Sequence, residues 1–196
     1  LNPYGKPLQS LKLDSLGLLP RLDWADGFEA VWQPGETGAW RALDRFLDNA
    51  FEQYNEGRNR PDQPGTSRLS PHLHFGEISP RQIWARIVDN AGRAGEASWA
   101  RNQFMTELGW REFAYHLLYH FPETVDQPLR GEFGSFPWRE DAALLKAWQR
   151  GQTGVPLVDA GMRELWQTGW MHNRVRMVVG SFLVKNLLIR WQEGAR

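Results

Sequence analysis

Apolar residues recur every three to four positions along much of the chain, which is the spacing of one helix face. From Thr37 this pattern predicts a helix that ends near Gly57. Ser79, Pro80 and Gln82 predict the start of the next helix, with an N-cap serine, a proline at the first helical position and a capping-box glutamine. We find no alternation typical of strands, so the pattern predicts an all-α fold. Further helices are predicted over about 98–121, 141–150, 156–167 and 172–191.

The first 35 residues differ from the rest because they show little apolar periodicity and contain several prolines, at positions 3, 7, 20 and 34. Prolines spaced in this way are typical of loops and linkers. We therefore expect an extended lead segment over 1–35 and a helical domain over 36–196. The start at Leu1, without an initiator methionine, indicates a piece of a longer protein.

Composition narrows the possible classes of function. The 196 residues contain no cysteine, which excludes disulfide scaffolds, Cys-ligated zinc, iron–sulfur clusters and thiol catalysis. The longest uncharged apolar stretch, Met177 to Val184, is too short to cross a bilayer, and no signal peptide is recognisable. We therefore expect a cytoplasmic protein without a membrane partner. The formal net charge is zero, but residues 142–196 are basic, which permits a nucleic-acid partner.

Several common catalytic motifs are absent from the sequence. It contains no G-x-G, no G-K-[ST] and no G-x-S-x-G, so Rossmann, P-loop and nucleophile-elbow sites have no signature. His116 and His120 stand four apart on a predicted helix, but no third ligand is evident, and we expect no metal site. The hydroxyl-rich loop over 65–71 suits a phosphate. A serine-rich helix cap is the more common explanation of such a loop taken alone.

Several segments in order resemble the FAD-binding domain of the photolyase/cryptochrome family. They are GTSRLSP at 65–71, FGEISP at 75–80, ELGWREF at 107–113, YHFP at 119–122 and the run over 147–177. The resemblance extends over about 36–196. It implies a multi-helical domain that binds FAD without a Rossmann motif, and it leaves the antenna pigment unknown.

The resemblance also implies roles for individual residues. The implied cofactor-binding residues are Tyr54, Thr66, Ser67, Arg68, Leu69, Ser70, Phe104, Glu107, Arg111 and Asn173. The implied contacts with DNA and substrate are Arg58, Glu107, Trp110, Arg111, Asn173, Arg174 and Met177. Glu107 and Asn173 are the implied catalytic residues. Trp138 and Trp191 match two members of a chain of three tryptophans that carries an electron to the flavin. We expect Trp40, Trp84 and Trp148 to be core residues.

The activity that this resemblance implies is light-driven repair of cyclobutane pyrimidine dimers in DNA, by a monomer that uses excited, fully reduced FAD. A cryptochrome-like photoreceptor with the same FAD site is the main alternative, and a helical nucleic-acid-binding module without cofactor is a third. Glu107, Trp110, Asn173 and Met177 together favour repair. The context of residues 172–174 resembles the dimer-repair branch more than the (6-4) branch.

Some features of the family are missing from this sequence. The N-terminal antenna domain, the acidic FAD-contacting motif and the tryptophan nearest the flavin do not occur in it. We therefore expect the chain alone to retain FAD poorly and to be inactive.

Overall fold

The computed structural model describes residues 10–18, 23–91 and 99–195, and within these residues the regular structure is entirely helical. The all-α fold class is therefore confirmed. The α-helices are α1 Asp26–Glu29, α2 Glu36–Asn49, α3 Tyr54–Gly57, α4 Ser70–His74, α5 Pro80–Ala91, α6 Gln103–His120, α7 Ala142–Gln149, α8 Pro156–Thr168, α9 Asn173–Ser181 and α10 Trp191–Ala195. Shorter 3₁₀ turns occupy Leu13–Leu16, Asp23–Ala25, Trp99–Arg101, Pro122–Val125 and Gly131–Ser135, and Phe182–Asn186 forms a π-helical turn.

The single helix predicted from Thr37 to Gly57 is divided in two, so this prediction was wrong. Helix α2 ends at Asn49 and α3 begins at Tyr54. Between them the N–H of Phe51 donates to the carbonyl of Phe46, 2.9 Å away. This turn brings the Phe51 ring into the core, edge-on to Phe46. Burying the Phe51 ring there stabilises the fold more than another turn of helix would.

The first core cluster lies between α2, α3, α5 and α6, and its buried members are Ala39, Leu43, Phe46, Phe51, Tyr54, Leu69, Ile78, Ile83, Ile87, Phe104, Met105 and Leu108. The start of α6 is fixed to this core by Asn102. Its Oδ1 accepts a hydrogen bond from the Phe104 N–H at 3.0 Å, and its Nδ2 donates to the Phe51 carbonyl at 2.6 Å. The long helix therefore begins at Gln103, after the separate turn Trp99–Arg101, and residue 98 lies outside the described residues.

The predicted capping box at the start of α5 is confirmed. The Gln82 N–H donates to Ser79 Oγ at 3.2 Å, and the Ser79 N–H donates to Gln82 Oε1 at 2.8 Å. The expectation of a core role was wrong for Trp84, which is 46% exposed and packs edge-on against Trp99. The helix has a single buried stripe, through Ile83 and Ile87, and Trp84 lies beside it. Trp148 is buried as expected, and Trp40 packs against the first core cluster.

The second core cluster joins α7, α8, α9 and the π-helical turn, and its buried members are Trp148, Val158, Met162, Met171, Val175, Val179, Leu183 and Ile189. Helices α8 and α9 approach closely at Gly161, where a Cβ would lie 2.4 Å from Val175 Cγ1. The helix predicted over 172–191 does not run through. It is interrupted after Asn186, and Leu188 has a φ of 58°, a left-handed conformation that an α-helix cannot continue through.

The lead segment is described at 10–18 and 23–35, where it contains short helical turns instead of extended backbone throughout. Its last part packs against the end of α8. Trp32 Nε1 donates to the Thr168 carbonyl at 2.6 Å, and the Phe28 ring lies against Gly169. Gly169 ends α8 with a φ of 69°, which glycine adopts without strain. In the described part of the chain, no helix is long and apolar enough to cross a membrane.

Candidate functional site

The predicted phosphate loop, residues 66–70, follows α3, extends to the first residue of α4 and borders a cavity of about 760 Å³. Thr66, Ser67 and Arg68 line this cavity together with Arg45 from α2. Two hydroxyls and two guanidinium groups are a donor set that suits a pyrophosphate. The loop therefore fits the phosphate part of FAD. The side chain of Leu69 is in the first core cluster, so only its backbone is available to a ligand, and Ser70 begins α4.

Arg68 has an unusual backbone conformation, with a φ of 53°. For a residue other than glycine this conformation costs about 1 kcal/mol or more. The guanidinium carbon of Arg68 lies 4.3 Å from the centroid of the Trp170 ring, within the range of a cation–π contact. This contact joins the phosphate loop to the segment that leads into α9.

The floor of the same cavity contains a buried histidine, His72 on α4. Its Nδ1 lies 2.5 Å from Glu77 Oε2, and its ring is edge-on to Trp32. The hydrogen bond from His72 and, to a smaller extent, the backbone N–H of Gly35 hold the pKa of the Glu77 carboxyl below its usual value. This pair anchors α4 beneath the phosphate loop.

A second group of predicted site residues converges around Glu107 on α6. Glu107 Oε1 lies 2.6 Å from Arg58 Nη1 and accepts a hydrogen bond from Gln103 Nε2 at 3.2 Å. The Arg58 guanidinium also lies 5.8 Å from the Tyr54 ring centroid. Burial chiefly, with a contribution from the Glu107 charge, raises the pKa of the Tyr54 hydroxyl, and Arg58 and Arg174 oppose this effect. Both contacts of the carboxylate use Oε1, so Oε2 can accept a hydrogen bond from a ligand.

The start of α9 lies beside this second group. Arg174 Nε donates to Asn59 Oδ1 at 2.9 Å, across 115 residues of sequence. Arg174 Nη1 lies 3.3 Å from the sulfur of Met177, which is 57% exposed. Asn173 is the first residue of α9 and its side chain is exposed. Sequence reasoning missed Asn59, and its only signal was its position next to Arg58.

Other predicted residues on α6 lie apart from these contacts. Trp110 is 57% exposed and packs edge-on against Phe113. Arg111 pairs with Glu112 at 2.6 Å and donates to the Leu73 carbonyl at 3.3 Å. Phe104 is buried among the aromatic rings of the first core cluster. None of Tyr54, Phe104, Glu107, Arg111 and Asn173 lines the cavity at the phosphate loop.

The two tryptophans predicted to carry electrons share one cavity. Trp138 and Trp191 both line a space of about 880 Å³, together with Phe133 and Phe136. The centroids of the Phe136 and Trp138 rings are 4.4 Å apart. Two rings that the sequence places 53 positions apart thus border the same cavity.

Comparisons with known proteins identify the family of this chain. The family model for the FAD-binding domain of DNA photolyase matches residues 104–196. A deoxyribodipyrimidine photo-lyase from Agrobacterium fabrum is 51% identical over 189 residues, which are 96% of this chain and 39% of the relative. Cryptochrome-1 from Arabidopsis thaliana is 41% identical over 173 residues, which are 85% of this chain and 25% of the relative.

Solved structures give the same result. A bacterial class III photolyase from Agrobacterium tumefaciens superposes with a TM-score of 0.87 at 51% identity, over 95% of this chain and 39% of that chain. A cryptochrome from Synechocystis sp. superposes with a TM-score of 0.76 at 34% identity, over 90% of this chain and 37% of that chain. The chain thus spans about two fifths of the length of the photolyases it matches. It belongs to the photolyase/cryptochrome family, in the region that forms the FAD-binding domain.

Proposed function

We propose that this protein repairs cyclobutane pyrimidine dimers in DNA by light-driven electron transfer from reduced FAD. The observation that carries the proposal is the convergence of Arg58, Glu107, Asn59 and Arg174 on one face, with Met177 exposed beside them. This face combines a carboxylate, cations and an apolar side chain. A base lesion in DNA offers the matching groups, which are ring N–H donors, phosphates and apolar ring faces. The relatives named deoxyribodipyrimidine photo-lyase support the same substrate.

In this proposal the phosphate loop holds the cofactor. Thr66, Ser67 and Ser70 donate hydroxyl hydrogen bonds to the FAD phosphates, the backbone of Leu69 follows the same path, and Arg68 neutralises charge. Bound FAD supplies the photoexcitable electron donor. The proposed flavin contacts are Tyr54, Phe104, Glu107, Arg111 and Asn173.

The proposed substrate contacts divide by chemistry. Glu107 accepts a hydrogen bond from a ring N–H of the dimer through Oε2, while Arg58 and Gln103 fix the carboxylate through Oε1. Asn173 can donate or accept with its amide. Trp110 and Met177 each offer an exposed apolar side chain to the distorted bases. The guanidinium groups of Arg58, Arg111 and Arg174 lie toward the phosphate backbone of DNA.

We also propose that Trp138 and Trp191 carry an electron toward photoexcited oxidised flavin. The position of both rings at one cavity, with Phe136 beside Trp138, supports this role, because an electron can pass between aromatic rings that lie in one region of the fold. A Trp138→Phe variant should slow photoreduction of the oxidised flavin and leave repair by chemically reduced enzyme unchanged. Equal photoreduction rates in variant and wild type would contradict this role.

The main proposal is tested with the full-length protein and a duplex that contains one cyclobutane thymine dimer. The flavin is reduced chemically, the complex is illuminated, and recovery of thymine absorbance is measured. We expect Glu107→Gln to lower the repair yield while flavin content stays normal, and the exposed Glu52→Gln to change neither. Equal loss of repair and flavin would assign Glu107 to cofactor retention. No repair by wild type with bound reduced FAD would refute the main proposal.

A cryptochrome-like photoreceptor is the second candidate, because relatives named cryptochrome match at 41% identity. It predicts a light-induced change of flavin redox state without dimer repair. Our proposal further includes a monomer in the cytoplasm with no membrane partner, and light scattering of the purified protein checks the oligomeric state.

A further inference from the structure

His172 occupies a position that the proposed chemistry does not use. Its side chain is 2% exposed and lies immediately before the first residue of α9. Its Nδ1 accepts a hydrogen bond from the backbone N–H of Arg174 at 3.2 Å. An acceptor here satisfies one of the N–H groups that the first turn of a helix leaves unpaired. His172 is therefore the N-cap of α9.

This cap requires a neutral imidazole. Nδ1 must keep its lone pair to accept the hydrogen bond, so the single proton of the neutral ring is on Nε2. Nε2 is buried, and among the described residues it has no hydrogen-bond partner. A second proton on the ring would convert Nδ1 into a donor facing the Arg174 N–H, and the cap would be lost.

The surroundings of His172 oppose that second proton. Burial is the main cause that lowers the pKa of His172, followed by the positive charges of Arg174 on α9 and Arg68 on the phosphate loop. The Trp170 ring packs edge-on to the imidazole, with centroids 6.0 Å apart, and also carries the Arg68 guanidinium. In the described structure, the charged groups that act on His172 are therefore both cations.

The first two turns of α9 contain residues of the surface that we propose contacts DNA, here called the DNA face. Asn173 and Arg174 follow the cap directly, and Met177 lies one turn later. Arg174 is also tied to Asn59, so a shift of the helix start would move the guanidinium away from the Arg58–Glu107 pair. The orientation of this face depends on the cap.

We infer that His172 is a positioning residue for DNA binding. The neutral ring fixes the start of α9, and uptake of a proton releases Arg174 and Met177 from their places on the DNA face. The inference rests on the proposed function for its DNA-binding step. The pH range follows from linkage. Because the folded state opposes protonation, the stabilisation is complete above the ordinary histidine pKa and falls as pH drops below it toward the lowered value.

The test compares wild type with His172→Asn and His74→Asn. Asparagine is a good N-cap that does not titrate, and His74 is exposed on α4 and is not among the contacts described for His172. The dissociation constant for a fluorescein-labelled duplex with one thymine dimer is measured by anisotropy at pH 7.5 and 5.5 at constant salt. From pH 7.5 to 5.5 we expect the wild-type constant to rise about fivefold more than that of His172→Asn, the factor that loss of one cap corresponds to. His74→Asn should follow wild type.

Urea unfolding of the same proteins at both pH values separates this inference from the proposed function. Wild type should lose more stability on acidification than His172→Asn, whether or not DNA binds. Absence of DNA binding by wild type at pH 7.5 would refute the proposed function. The difference in unfolding between wild type and His172→Asn would then decide whether neutral His172 caps α9. Identical pH responses of wild type and His172→Asn in unfolding, or in binding where it occurs, would overturn the inference. His172→Ser supplies a second neutral cap if His172→Asn does not fold.

Discussion

Asn102 makes two buried hydrogen bonds that hold the long helix α6 against the first core cluster. It caps α6 by accepting from the Phe104 N–H, and it donates to the carbonyl of Phe51. The side chain is 8% exposed, so water does not readily replace either partner. Replacing Asn102 with alanine removes both bonds at once and leaves the Phe51 carbonyl with one donor, the Tyr54 N–H at 3.2 Å.

The expected cost follows from these two contacts. Loss of an N-cap costs about 1 kcal/mol, and loss of one hydrogen bond to a carbonyl that keeps another donor costs about 0.5–1.5 kcal/mol. We therefore expect Asn102→Ala to lower the free energy of unfolding by about 1.5–2.5 kcal/mol. Asn102→Ser keeps an acceptor for the cap but is too short to reach Phe51, so its loss should be intermediate.

The measurement is urea unfolding of the full chain followed by circular dichroism. The matched control is Asn49→Ala, because Asn49 is an exposed residue whose Nδ2 donates to the carbonyl of Arg45. This control should lose less than about 0.5 kcal/mol. A loss for Asn102→Ala no larger than that of the control would show that α6 does not depend on this contact.

Two further predictions concern packing and pH. Gly161→Ala places a Cβ 2.4 Å from Val175 Cγ1 and should lower the free energy of unfolding by about 1–3 kcal/mol. Gly180→Ala on α9 meets no atom within 4 Å and should raise it by up to about 1 kcal/mol. Equal melting temperatures for the two variants would contradict this. Because the pKa of Glu77 is lowered by His72, its stabilisation is complete above the ordinary glutamate pKa and is lost as pH falls through the lowered value. The urea midpoints of wild type and Glu77→Gln should therefore stay apart from pH 7 to about 4 and converge as the pH is lowered further, and a constant gap over that lower range would refute the contribution of this pair.

Local sequence patterns determined the fold class and the starts of α2, α5, α7, α8 and α9. The capping box at Ser79 and Gln82 and the break at Gly169 could be read directly, because each depends on residues within one or two turns. The two helix interruptions could not be predicted in this way. One turns Phe51 into the core and the other places Leu188 in a left-handed conformation, and both depend on what the segment packs against.

The candidate site shows the same division. The family resemblance implied Arg58, Glu107 and Arg174 individually, and Glu107 and Arg174 stand in the segments that carry it. Only the tertiary structure joined Arg58 to Glu107, Arg174 to Asn59 and Arg68 to Trp170. These pairs are distant along the chain, and their separation in space is set by how helices pack through their buried faces. Periodicity along one helix describes which face is buried, but it contains no information about which other helix will cover it.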